Sequence, residues 1–124
     1  MENEIEINGK QYVLKSSIRA APTPAPRKKG MEYAIVRTYS AGVLAGYIAS
    51  EKGQEVEIIE ARRLWYWSGA ASLSQLAMEG VKHPDKCKFP VVVAKLRVKQ
   101  AIEILPCTEA ARKSIEGVVV WKAD

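Results

Sequence analysis

An α+β fold, with a mainly antiparallel β-sheet and two short helices, is predicted by three observations. Side chains over 32–39, 42–49 and 55–67 follow the two-residue period of strands, rich in β-branched and aromatic residues. Short polar or glycine-bearing connections, Ser40-Ala41 and Glu51-Lys52-Gly53-Gln54, separate these runs. Two later segments carry helix start and stop signals, Ser72 before Gly80 and Thr108 before Gly117. The expected architecture is a meander or a small, partly open barrel, with an N-terminal β-hairpin arm.

Residues 4–14, EIEINGKQYVL, alternate Ile5 and Ile7 with acidic residues and then turn at Asn8-Gly9. Asn-Gly supplies the positive φ angles of a tight hairpin turn. A two-stranded ribbon alone is marginal in water, so residues 1–14 are expected to dock on the body, to pair with another chain, or to fray. Residues 15–30 hold three prolines, five basic residues and no acid. Such a stretch cannot build a core and reads as a basic linker of polyproline character. The core domain is expected to span 31–124.

Within it, 32–39 is the first strand, with Tyr33, Ile35 and Arg37 on one face. Residues 42–49 form the second, where Gly42, Ala45 and Gly46 suggest a bulge or a close backbone approach. The third runs over 55–67, EVEIIEARRLWYW. Ser72-Leu73-Ser74-Gln75 matches a capping box and opens a helix of about two turns. Residues 81–90 form a loop with two prolines, 91–99 and 101–106 are further strands, and TEAARKSIEG is the second helix. The tail, VVVWK, reads as a last strand or an extended packing segment.

Of 124 residues, 19 are Lys or Arg and 14 are Asp or Glu, which gives +5. Residues 1–30 hold six Lys/Arg against three Glu, and 31–124 hold thirteen against eleven acids. The excess is thus concentrated in the first quarter, so a duplex-binding face on the core is not expected. No apolar run approaches the roughly 18–20 residues of a membrane span. The opening MENEIEING has no apolar region of the signal-peptide kind. Cys87 and Cys107 are too few for a disulfide framework and read as reduced thiols.

The densest chemistry lies between Arg62 and Ser72. Trp65 and Trp67 offer stacking faces, Arg62 and Arg63 offer forked donors for phosphate, and Ser68, Gly69 and Ser72 lead into a helix N-terminus. Arg37, mid-strand among apolar residues, joins them as a candidate ligand contact. The competing expectation is structural. The indoles fill the core, the arginines pair with Glu57 or Glu60, and the capping box alone accounts for the serine. His83, Cys87 and Cys107 lack metal-ligand spacing, so no metal is expected. Without a nucleophile elbow, a P-loop or a dinucleotide fingerprint, neither catalysis nor a cofactor is expected.

The segments YAIVRTYSAGV, EARRLWYWSGAASLSQLAMEGV, CKF and AIEILPCTEAARKSIEG resemble a small family of bacteriophage and prophage proteins without a settled activity. The resemblance covers about residues 31–122 and implies a phage-encoded protein of the host cytoplasm, with no catalytic residues to transfer. Three functions are carried forward. One is an accessory protein holding a nucleotide-like anion without chemistry, in one form a sequestered host immune signal. Another is an inhibitor of a host defence or replication protein, and the third a weak single-strand nucleic-acid binder. Strand edges on so small a body also suggest a homo-oligomer.

Overall fold

A computed structural model describes residues 22–124. The N-terminal arm and the first part of the expected linker lie outside the described residues. Five strands, β1 (Glu32–Thr38), β2 (Val43–Lys52), β3 (Glu55–Arg63), β4 (Val92–Val98) and β5 (Ala101–Pro106), form one antiparallel sheet in the order β4-β3-β2-β1-β5. Two helices, α1 (Leu73–Glu79) and α2 (Glu109–Glu116), complete the α+β fold, with a 3-10 turn at Pro84–Lys86. Neither helix is long and apolar enough to cross a membrane.

β4 and β5 are the two edges of the sheet, yet only Lys99 and Gln100 join them. Three Cα steps reach about 11 Å at most, whereas four strand spacings in a flat sheet measure about 19 Å. The sheet must therefore curl until its edges converge at that link, although they do not pair. The curl encloses a core made only of strand residues, including Val36, Leu44, Val56, Ile58, Val98 and Ala101.

The opposite face carries the helices. Tyr33, Ile35, Ala45 and Tyr47 of the sheet pack with Leu76 and Ala77 of α1, Ala111 and Ile115 of α2, and Phe89. Helices of seven and eight residues are too short to persist alone, so this burial and their caps hold them. The Ser72 hydroxyl accepts from Gln75 N at 3.1 Å. The Thr108 hydroxyl accepts from Ala111 N at 3.0 Å and donates to Met78 O at 2.8 Å, so the cap of α2 also ties down the end of α1.

Two segments differ from the sequence expectation, and the tail takes the second of its two expected forms. β3 stops at Arg63 instead of Trp67; Leu64 N still donates to Val43 O, and Tyr66 then bridges Lys88. The tail packs as an extended segment: Val118 is buried and its carbonyl accepts from Arg62, Val120 makes a parallel bridge with Phe89, and Trp121 lies beside Trp65. Residues 22–30 lie along the body: Ala25 N donates to Cys107 O at 3.1 Å, and Glu109 N donates to Thr23 O at 2.9 Å.

Two buried acids set an alkaline limit on the fold. Burial pushes the Cys107 thiol up to about 12 and raises the Tyr33 phenol. Both bind their proton more tightly folded than unfolded. Stability is thus fully present below about pH 9 and declines as the unfolded chain begins to ionise. Urea melts between pH 8 and pH 11 should show this decline; a flat profile would contradict the assignment.

Candidate functional site

The eight residues singled out between Arg37 and Ser72 do not converge on one site. Arg37 stands half exposed on β1 and pairs with Glu103 of β5 at 3.0 Å. Arg62 is 3 % exposed and points toward the end of α2. Its guanidinium donates to the carbonyls of Pro90 (3.1 Å), Ile115 (2.8 Å), Phe89 (3.3 Å) and Val118 (2.6 Å). Phe89 lies beneath it, 5.6 Å from ring centroid to the guanidinium carbon. Arg62 thus ties β3 to the α2 C-terminus, where a cation is favoured. Arg63 turns to the other side and donates to Ala41 O. The expected Glu57 and Glu60 partners go elsewhere, to Lys95 and Lys28.

Trp65 is 61 % exposed and lies beside Trp121, with ring centroids 5.7 Å apart, while Trp67 packs against the helical core. The Ser68–Ser72 loop and the first turn of α1 use part of their own amides internally. Ala71 N donates to Gln75 Oε1 at 2.7 Å, and Ser72 takes the amides of Gln75 and Leu76. Gly69, at φ +94°, is pressed against the backbone of Lys82 and His83. Ser68 Oγ meets His83 Nδ1 at 3.2 Å. Among the described residues no carboxylate hydrogen-bonds to that ring, so nothing orients it as the base of a nucleophile. No three His, Cys, Asp or Glu among the described residues gather as metal ligands.

A different concavity is better built. A cleft of about 550 Å³ opens between the sheet, α2 and the 22–30 segment. Tyr33 and Tyr47 form its floor, Arg27 and Lys28 one wall, and Arg112 and Glu116 of α2 another; Glu60 and Arg62 also border it. Four cations and two carboxylates border it, with Lys28 paired to Glu60, Arg112 paired to Glu109 and Glu116, and Arg62 bound to main-chain carbonyls. The phenols are 2 % and 4 % exposed and meet edge to face, 5.1 Å apart. Among the described residues neither hydroxyl has a hydrogen-bond partner. Buried polar groups nearly always have one, and leaving one unmet costs about 1–3 kcal/mol.

The bulge beside this cleft is costly as well. Ala45 pairs with Arg62 and Tyr47 with Ile59, so Gly46 alone opposes Glu60 and Ala61. A Cβ on Gly46 would lie 2.6 Å from Ile58 Cγ2 and 2.9 Å from Ile59 O, so the tight bulge requires glycine there. Glu60 takes φ +54°, a left-handed conformation unfavourable for its side chain. Its carboxylate reaches Lys28 across the cleft at 2.6 Å and raises the lysine's pKa through that hydrogen bond. Arg112 is held by both oxygens of Glu109, at 2.7 and 2.8 Å, which keeps its guanidinium in place.

Glu60→Gly should raise stability by about 0.5–1 kcal/mol, because glycine accepts the left-handed backbone and the exposed Lys28 pair contributes little. Equilibrium urea denaturation measures this, and a loss of stability would show that Glu60 is held there for structural reasons.

Of the cleft residues only Arg62 stood out in the sequence as a candidate ligand contact, because the others come from separate segments of the chain. Gly46 also gave a local signal, which marks the bulge but not the glutamate opposite it. The pattern of a family described as Domain of unknown function (DUF6948) matches residues 31–115, inside the stretch on which the resemblance rested. No curated protein and no solved structure matches the chain.

Proposed function

We propose that this chain, which belongs to the DUF6948 family, binds a small nucleotide or another phosphate-bearing ligand without chemistry, in the cleft between Tyr47 and Arg112. The observation that carries this reading is the pair of buried phenol hydroxyls, without partners among the described residues, beneath a wall that carries Arg27 and Lys28. A cleft of about 550 Å³ suits a small molecule rather than a polymer. Arg27 and Lys28 supply charge for a phosphate, and the phenols supply hydrogen bonds to a polar edge at the floor. The resemblance to phage proteins supports an accessory role in the host cytoplasm, such as withholding a nucleotide signal of the host. The open edge of β4, with Val91, Val92 and Val93 exposed, supports a homo-oligomer.

Thermal melts with AMP, GMP, cyclic dinucleotides and inorganic pyrophosphate test the reading. At about a hundredfold excess over Kd a ligand should stabilise the fold by about 2.7 kcal/mol. Arg27→Ala and Tyr47→Phe should each reduce that gain while leaving the unliganded fold standing, and the ligand should be recovered intact after denaturation. If none of these compounds at millimolar concentration moves the melt, the reading fails.

A further inference from the structure

The aromatic cluster at the end of β3 is separate from the cleft. Trp65 is 61 % exposed, Trp121 46 % and Tyr66 50 %. Large rings so uncovered are unusual in a small domain, and clustered ones mark a contact surface. Trp65 and Trp121 sit 5.7 Å apart and are tilted by 36°, which leaves ring face open to solvent. Two unrelated connections deliver them. Trp65 leaves the end of β3, while Trp121 is positioned by its own N–H, which donates to Phe89 O at 3.0 Å.

Cations are interleaved with these rings. Lys88 pairs through its backbone with Tyr66 and holds its ammonium 5.6 Å from the Trp121 ring centroid. Lys86 lies in the same loop and Lys122 follows Trp121; both are exposed. Among the described residues none of these three lysines has a carboxylate partner, although Asp85 and Asp124 are nearby in the chain. A purely apolar surface would leave the ammonium groups without a partner, and a purely acidic one would leave the rings uncovered. Unpaired nucleobases on a phosphate backbone would use both, because every base has a stacking face and every linkage a charge.

We propose that Trp65, Tyr66 and Trp121, with Lys88, form a stacking platform for single-stranded nucleic acid. It is independent of the cleft and needs no motion of the fold. Binding is weak and insensitive to base sequence, since stacking and phosphate contacts carry little sequence information.

The test is tryptophan fluorescence and anisotropy of the full chain with an oligothymidine of about 12 nucleotides. Binding should quench the indoles and weaken steeply between about 50 and 200 mM salt. Trp65→Ala and Trp121→Ala should each weaken it about tenfold or more, with Trp65→Phe retaining most of it. Lys88→Ala should lower the salt slope by about 0.7. Circular dichroism should show every variant folded, since the changed side chains are exposed.

Absence of binding at low salt overturns the proposal. Binding that survives both tryptophan changes does so too, because it then runs through the basic N-terminal stretch. A change in sedimentation with the alanine variants, without oligonucleotide binding, assigns the face to protein contact and likewise overturns it.

Discussion

Arg62→Ala should lower stability by about 3–5 kcal/mol, or Tm by roughly 15–30 °C, whereas Arg63→Ala should cost less than about 1 kcal/mol. The two arginines are neighbours in the chain and nearly opposite in duty. Arg62 is buried and satisfies four main-chain carbonyls, two beyond β3 at Phe89 and Pro90 and two at the end of α2 at Ile115 and Val118. Truncation orphans these acceptors, removes a cation from a helix C-terminus and uncovers Phe89. Desolvation lowers the guanidinium's pKa, but the group stays charged at any ordinary pH. Arg62→Lys should recover only part of the loss, because an ammonium cannot span the four oxygens. Arg63 makes one main-chain contact, to Ala41, near the surface. Equal losses from the two alanine changes, measured by urea denaturation, would contradict this division.

Gly69→Ala should cost about 3 kcal/mol or more. The position stands at φ +94°, where a side chain is disfavoured whatever the space around it. A Cβ would in addition lie 2.8 Å from both His83 N and Lys82 Cα, which are main-chain atoms that cannot rotate away. The loop before α1 would have to part from the loop after it, breaking the 3.4 Å bond from His83 N to Ser68 O. Nearby Ala70→Gly offers the comparison and should stay within about 1 kcal/mol. If Gly69→Ala melts like the parent chain, the loop is looser than described. A fall in ligand affinity without a fall in Tm would restore the anion-cradle expectation for Ser68–Ser72.

Much of the fold was legible from the residues. Period-two runs placed β1 and β2, and the caps Ser72 and Thr108 placed both helices to within a residue. The sheet order was not, because pairing of β1 with β5 depends on contacts some 70 residues apart in the chain. Strand alternation puts the neighbours Arg62 and Arg63 on opposite sides, but no local rule says which side is inside. The indoles followed the same logic to a different end. The third strand was expected to run through Trp65 and Trp67, but β3 ends before them, and one is exposed while the other packs inward. The cleft was invisible because its phenols look like ordinary strand aromatics, and its charge comes from both ends of the domain.

The place of β5 beside β1 also has a consequence for the order of synthesis. β1, β2 and β3 can pair as soon as they leave the ribosome, but β1 keeps one edge without its neighbour until residues 101–106 emerge. At about 5–20 residues per second that interval lasts roughly 3–14 s. During it Ile35 and Val36 belong to an unfinished sheet edge. A nascent chain stalled before residue 100 should therefore bind holdase chaperones and be cut readily by proteases, and one released after residue 117 should escape both.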